Sequence, residues 1–262
     1  MDRVTLNSML SDIGVSEIKY FDSIGSTNDI ALQWIEDGAL DFSIVVADQQ
    51  TKGRGRLGRK WVTNPGSALA VSLVVKPSLA ERESISLFSP LAALALASTL
   101  EEKYSLKPQI KWPNDLLINE KKISGILVEA SWTGLSMAGV VVGIGINIAP
   151  SSLPPAELLS FPATYLEAET NCTIDRFDLL KSYMIKIKHW RSLFATEQFF
   201  NEWRDRLAFM DRPVRIEATG RGTIHGVLNG ISTSGNLLLK NKDGELVEIE
   251  VGDVHLRPDF EK

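Results

Sequence analysis

Residues 49–61, QQTKGRGRLGRKW, hold five cations (Lys52, Arg54, Arg56, Arg59 and Lys60) and no acid, in a chain whose charges sum to −5. Positive charge gathered into so short a run of a negative protein suits an anionic ligand, and the interspersed glycines let backbone approach it. Residues 53–58 match G-x-G-x-x-G literally. A dinucleotide fingerprint needs a helix to open at the last glycine, whereas Asn64-Pro65-Gly66 and a strand-like run follow here. A kinase glycine loop would need V-A-I-K, H-R-D and D-F-G segments, and a Walker A loop needs Lys then Ser or Thr after its glycine; the sequence has neither. Three readings stay open for the segment: an arginine–glycine contact for nucleic acid, a mobile loop closing over a small anion, or a solvated loop.

A second segment, Lys111-Trp112-Pro113-Asn114-Asp115, places an ammonium and a carboxylate around a turn restrained by Pro113. It suits carboxylate or phosphate chemistry, and equally a structural turn with a surface lysine. Gly143-Ile144-Gly145-Ile146-Asn147 ends an apolar run with a lone amide, which is either a packed glycine strand opening into a turn or a site element. Metal and disulfide chemistry find little support. Cys172 is the single cysteine, and His189, His225 and His255 are far apart, with no pair at ligand spacing.

The elements that must position these residues follow from patterning. The chain has 262 residues, 44% apolar and 23% charged, which excludes bulk disorder and gives one large domain, or a large and a small one. Ser26-Thr27-Asn28 precedes Ile30, Ala31, Trp34 and Ile35, the signature of a capped helix that stops near Gly38. Strands are expected at 43–47 and 68–76, a helix at 84–103, then strands at 110–112, 115–118, 123–131 and 137–148. The tight turns between the last four imply antiparallel pairing, not βαβ winding. Residues 150–162 read as a connector, 177–194 and 197–207 as amphipathic helices, and 213–262 as a small all-β barrel, so the division falls at 1–208 and 209–262. No repeat is visible. The first ten residues lack an apolar signal core, and the apolar stretches at 91–100 and 140–149 fall short of the ~18 residues that span a bilayer, so a cytoplasmic protein without membrane contact is expected.

Taken in order, five segments resemble the biotin protein ligase family: Ser26-Thr27-Asn28; Gln50 with the run from Gly53 to Trp61; Lys111 to Asp115; Ser124-Gly125-Ile126-Leu127-Val128-Glu129; and Gly143 to Asn147. The β-rich tail resembles the family's C-terminal barrel. The resemblance implies an α+β fold, a mixed and largely antiparallel central sheet flanked by helices, related to class II aminoacyl-tRNA synthetases, with a small C-terminal β-barrel. It implies ATP-dependent activation of biotin to biotinyl-5′-AMP with release of pyrophosphate, then transfer to a lysine of a biotin carboxyl carrier protein or domain.

The residue roles implied are these. Lys111 bridges the biotin carboxylate and the α-phosphate, and Arg54 and Arg56, with Gly55 between them, order over the adenylate and exclude water. Ser26, Thr27, Asn28 and Gln50 match biotin-site positions, Trp61 the adenine platform and Asn147 an adenylate contact, with Asp115 and Gly125 in supporting places. Mg²⁺ arrives on the ATP phosphates. Lys52 departs from the small residue that often precedes the family's loop. Only about 25 residues lie ahead of Ser26, so the DNA-binding helix-turn-helix of some members is not expected, and either a monomer or a homodimer fits. A lipoate or octanoate ligase of the same superfamily is the nearest alternative, and an RNA-binding module the alternative from another class; the latter needs basic residues spread over a wide surface with exposed aromatics.

Overall fold

The computed structural model describes residues 3–218, 222–250 and 254–259. A seven-stranded sheet forms its centre, in the order β1-β2-β3-β7-β6-β5-β4. Its strands are β1 (Ile18–Ile24), β2 (Ile44–Gln50), β3 (Ala68–Val75), β4 (Gln109–Lys111), β5 (Asp115–Ile118), β6 (Lys121–Thr133) and β7 (Ser136–Asn147). The helices are α1 (Arg3–Leu10), α2 (Thr27–Glu36), α3 (Leu79–Arg82), α4 (Phe88–Tyr104), α5 (Leu166–Thr170), α6 (Arg176–Ser192) and α7 (Glu197–Asp205).

β4 to β7 pair antiparallel in sequence order, as the short turns between them dictate, and β7 pairs antiparallel with β3. The edge departs from the expected winding. β1, which the sequence reading did not place, pairs parallel with β2, so β1–α2–β2 is a βαβ unit with α2 as its crossover. Ala31, Trp34 and Ile35 of α2 pack against Val45, Val74 and Val141 on one face of the sheet.

The other face carries the main core. Leu69, Val71, Leu73 and Val75 alternate with residues of the α2 side along β3, and Val140, Val142, Ile144 and Ile146 do the same along β7. Against them lies α4, buried around nearly its whole circumference, and behind it α6, which buries Leu180, Tyr183, Met184 and Ile187. The helical run Ile85–Tyr104 is long and apolar enough to cross a membrane by length and composition, a reach the sequence reading did not give it. Here that apolarity is spent on the core: Leu91, Leu94, Leu96 and Leu100 are fully enclosed.

A second sheet, all antiparallel, has the order β11-β10-β9-β8-β12, from β8 (Pro213–Ala218), β9 (Gly222–Ile231), β10 (Leu237–Lys240), β11 (Leu246–Ile249) and β12 (Val254–Pro258). Among the described residues no ladder joins β11 to β12, and residues 219–221, 251–253 and 260–262 of the expected barrel lie outside them. The two sheets are tied at β4. Its outer edge is covered by the chain leading to β8, with Ile110 N donating to Arg206 O (2.7 Å) and Ala208 N to Ile110 O (2.9 Å). Because Leu96 is enclosed with no route to water, Leu96→Ala is expected to cost about 3 kcal/mol of stability, read as a lower urea midpoint with an unchanged slope.

Candidate active site

Register explains how residues distant in sequence meet. Lys111 on β4 stands opposite Asp115 on β5, Asp115 opposite Gly125 on β6, Gly125 opposite Gly145 on β7, and Gly145 opposite Ala70 on β3. In-register residues share one face, so this is a single row across five strands, charged at one end and bare beyond. The next row is Leu127, Gly143 and Ser72. Side chains from outside the sheet rest on the glycines: a Cβ on Gly143 would come within 2.1 Å of Asn28 Oδ1, and one on Gly145 within 2.3 Å of the Trp61 ring. Above this floor opens a cleft of about 580 Å³. Ser26, Thr27, Asn28, Gln50, Arg54, Gly55, Arg56, Trp61, Lys111, Asp115, Gly125 and Asn147, the candidates from sequence, all line it.

One end of the cleft is neutral and rich in hydrogen-bonding groups. Ser26 is the N-cap of α2 by position, but its side chain makes no capping bond. Gln50 does the capping from β2: its Oε1 accepts from the Thr27 backbone N–H (2.8 Å) and from Thr27 Oγ1 (2.9 Å). The expected local cap is therefore replaced by a long-range one, and the Ser26 hydroxyl lines the cleft instead. The Asn28 amide is fixed on both sides, Nδ2 donating to Glu129 Oε2 (2.7 Å) and Oδ1 accepting from Ser72 Oγ (2.5 Å).

The other end is cationic. Asp115 sits between two ammonium groups, Lys122 Nζ at 2.6 Å from Oδ1 and Lys111 Nζ at 3.4 Å from Oδ2. Burial alone would raise the Asp115 carboxyl, but Lys122 and then Lys111 hold it down at about 2. Burial pulls the Lys111 ammonium down to about 8, against the upward pull of Asp115. Lys111 Nζ also lies 4.9 Å from the Phe161 ring centre, and the Arg257 guanidinium lies 5.6 Å from the same ring. Arg257 comes from β12, so the second sheet supplies a cation to the cleft. Burial, then the charge of Arg59, lowers its pKa.

The Lys111 pentapeptide is held at every residue. Trp112 Nε1 donates to Gly235 O of the second sheet (3.1 Å), Ser89 Oγ to Pro113 O (2.9 Å), and Asn114 Nδ2 to Ile126 O (2.8 Å). The arginine–glycine segment forms its own small ladder: Gly55 N donates to Arg59 O (2.7 Å) and Trp61 N to Gly53 O (2.9 Å). Gly53 has to be glycine here, since a Cβ would lie 2.4 Å from Trp61 O. Trp61 packs between Gly125 and Gly145, with its buried Nε1 unpartnered. Asn147 Nδ2 donates to Thr164 O (3.0 Å).

Sequence reasoning missed Lys122, Arg257, Phe161 and Glu129. Lys122 was hidden in a run read only as a turn; it stands three residues before Gly125, so plain alternation puts it on the opposite face, and the register shift between Leu116 and Leu117 brings it to the cleft. Among the described residues no group of three His, Cys, Asp or Glu side chains could hold a metal, and Asp115 is engaged by two lysines.

The cleft thus joins a neutral hydrogen-bonding end to a cationic end over a glycine floor, a division suited to a ligand that is part neutral and part anionic. The chain belongs to the biotin/lipoate A/B protein ligase family, whose pattern residues 20–147 match, while residues 209–257 match the biotin protein ligase C terminal domain. It is 35% identical over 228 residues to the biotin–[acetyl-CoA-carboxylase] ligase of Paracoccus denitrificans, covering 85% of this chain and 93% of that protein. It is 32% identical over 242 residues to the bifunctional ligase/repressor BirA of Bacillus subtilis, covering 90% and 73%. In structure it is similar to the biotin protein ligase from Aquifex aeolicus in complex with biotin and ATP, with a TM-score of 0.81, 30% identity, and 93% and 100% of the two chains covered.

Removing Asp115 strands the buried Lys111 ammonium and the half-buried Lys122 beside it. Asp115→Asn is expected to destabilise the fold by about 3 kcal/mol or more at neutral pH. The Asp115 carboxyl is depressed in the folded state, so its stabilising share is present above the ordinary carboxylate range and is lost as pH falls towards about 2. Urea unfolding across pH should therefore show variant and wild type converging on the acid side.

Proposed function

We propose that this chain is a biotin protein ligase, with a catalytic unit over residues 1–208 and a C-terminal unit over 209–262, acting in the cytoplasm on biotin, ATP and a biotin carboxyl carrier domain. One observation carries the reading: a single cleft joins a neutral end (Ser26, Thr27, Asn28 and Gln50) to a cationic end (Lys111, Lys122 and Arg257) across a bare glycine floor. A bicyclic urea with an acid tail fits that division, its ring among hydroxyls and amides and its carboxylate among ammonium groups. The second sheet favours biotin over lipoate or octanoate, because it matches the C-terminal domain of biotin protein ligases and brings Arg257 into the cleft.

The chemistry asks for positive charge and alignment rather than a protein nucleophile. A biotin carboxylate oxygen attacks the α-phosphorus of ATP, the bond to the β-phosphate oxygen breaks, and pyrophosphate leaves. Two anions must approach each other, which fixed cations make possible. Lys111 bridges carboxylate and α-phosphate, with Asp115 keeping it in place and Lys122 beside it. Lys122 is the more open of the two, its side chain 26% exposed against 5% for Lys111. Arg54, Gly55 and Arg56 cover the adenylate and exclude water, Trp61 offers a ring for adenine, and Asn147 and Gly125 line the nucleotide side. Mg²⁺, carried by the triphosphate, offsets negative charge there. In the second step the amine of the carrier lysine attacks the biotinyl carbonyl, AMP leaves, and the amine loses its proton.

The test is ATP–pyrophosphate exchange with biotin, lipoate or octanoate supplied separately. Exchange is expected with biotin alone, and to fall about a hundredfold or more in Lys111→Ala. Exchange with lipoate or octanoate alone overturns the substrate; loss in Lys122→Ala but not in Lys111→Ala moves the bridging role to Lys122. A cation with a folded pKa of about 8 loses its charge above it. Exchange should therefore decline as pH rises through about 8, and Lys111→Arg, which stays charged, should lose that alkaline limb in whatever activity it retains.

A further inference from the structure

Glu129 lies outside the roles assigned above, yet it joins three parts of the cleft. It stands on β6 in register with Val141 of β7, on the face that α2 covers. Oε2 accepts from Asn28 Nδ2 at 2.7 Å, and Arg54 Nη2 lies 3.2 Å from Oε2 and 3.3 Å from Oε1. The same Arg54 nitrogen lies 2.6 Å from Asp29 Oδ1. One carboxylate thus touches the start of α2, the arginine–glycine segment and the sheet.

An ionised carboxylate only accepts, so it decides which way the Asn28 amide faces. Nδ2 must turn to Glu129, where Leu127 O also lies at 3.3 Å, and Oδ1 must turn to Ser72. A neutral amide at position 129 would remove the nearer and charged of these two acceptors, leaving only the longer contact to Leu127 O to set the orientation. Asn28 itself has no room to shift, since its Oδ1 fills the space over Gly143. The second consequence concerns the loop. Its internal bonds, Gly55 N to Arg59 O and Trp61 N to Gly53 O, hold the segment to itself. The Arg54 side chain holds it to the body, through Asp29 on α2 and Glu129 on β6. The tether is partly exposed, so it sets the loop's resting position while leaving it able to move.

We infer that Glu129 is a positioning residue for this cleft: it orients the Asn28 amide for the neutral head of the acid substrate and, with Asp29, tethers the arginine–glycine loop through Arg54. The substrate half of this rests on the biotin ligase reading; the tether does not. The variants are Glu129→Gln, Glu129→Asp and Asp29→Asn, each measured by exchange kinetics with biotin and ATP varied separately, and by trypsin nicking of the ligand-free protein within residues 54–60.

Glu129→Gln should raise the KM for biotin about tenfold while leaving that for ATP within about twofold, and should speed nicking of the loop. Glu129→Asp should recover most of the biotin KM, because it restores an acceptor-only group. Asp29→Asn should speed nicking without changing the KM for biotin. An equal rise in both KM values, a fall in kcat alone, or unchanged nicking in Glu129→Gln and Asp29→Asn overturns the inference. Should Glu129→Gln not fold, Glu129→Ala carries the biotin arm and Asp29→Asn the nicking arm, a wild-type biotin KM in the first or wild-type nicking in the second being the contrary result. Absence of biotin-dependent exchange in the wild type would instead sink the ligase reading, and the nicking arm would still decide the tether.

Discussion

One face of the central sheet is covered by α2 at one side and kept bare beside it, and the rest of the molecule is arranged around that bare patch. Gly125, Gly143 and Gly145 stand on adjacent strands, flanked by Ala70 and Ser72 on β3. Their missing Cβ atoms are where Asn28 and Trp61 rest, with clearances that a methyl group would abolish. A sheet that gives up packing on one face must bury its apolar surface on the other. That explains why α4 is enclosed almost all round and why α6 closes over it: the core on that side has to supply what the cleft side does not.

Electrostatics then decides what the bare face can hold. Two ammonium groups at the end of the glycine row repel each other and lose hydration, and Asp115 is the counterion that makes their company tolerable. One carboxylate against Lys111 and Lys122, with Arg257 a ring's width away, leaves the cleft with an excess of positive charge. An anionic ligand would complete the balance, so it is the unbalanced cluster, rather than any single residue, that suits the proposed carboxylate and phosphate. Burial is the main cause of the depressed Lys111 ammonium, and the charges of Lys122 and Arg257 add to it against the upward pull of Asp115.

Much of this was legible in the sequence where the signal was local. The Lys111–Asp115 pair could be seen because both residues flank one short turn, and Gly143-Ile144-Gly145 shows the alternation of a strand with one stripped face. The arginine–glycine segment announced itself by charge. What stayed hidden depends on register. Gln50 caps α2 from 23 residues away, Glu129 reaches Asn28 from 101, and Arg257 enters from another sheet; no local pattern encodes such distances. β1 was missed because an edge strand with the sequence IKYFDSI, half exposed, lacks a clean alternation, and with it went the βαβ unit. Ser26 was placed correctly at the start of α2, but its capping bond was not, since the hydroxyl competes with a stronger acceptor brought in by β2.

The C-terminal sheet enters this logic through Trp112. That residue follows Lys111 directly, is fully buried, and gives its indole N–H to the carbonyl of Gly235 in the turn between β9 and β10. Gly235 takes a positive φ there, and a Cβ would press within 2.8 Å of Leu87 and 3.3 Å of Trp203, so the turn is fitted against the catalytic side and not merely set beside it. Withdrawing the sheet would leave a buried N–H unpaired, a loss of about 1–3 kcal/mol. It would also uncover the outer edge of β4, which the chain at 206–208 now pairs, and remove Arg257 from the cleft. The contacts that hold the strand carrying Lys111 therefore also seat the sheet that carries Arg257, and the cationic end of the cleft is a joint product of both sheets rather than a property of the larger one.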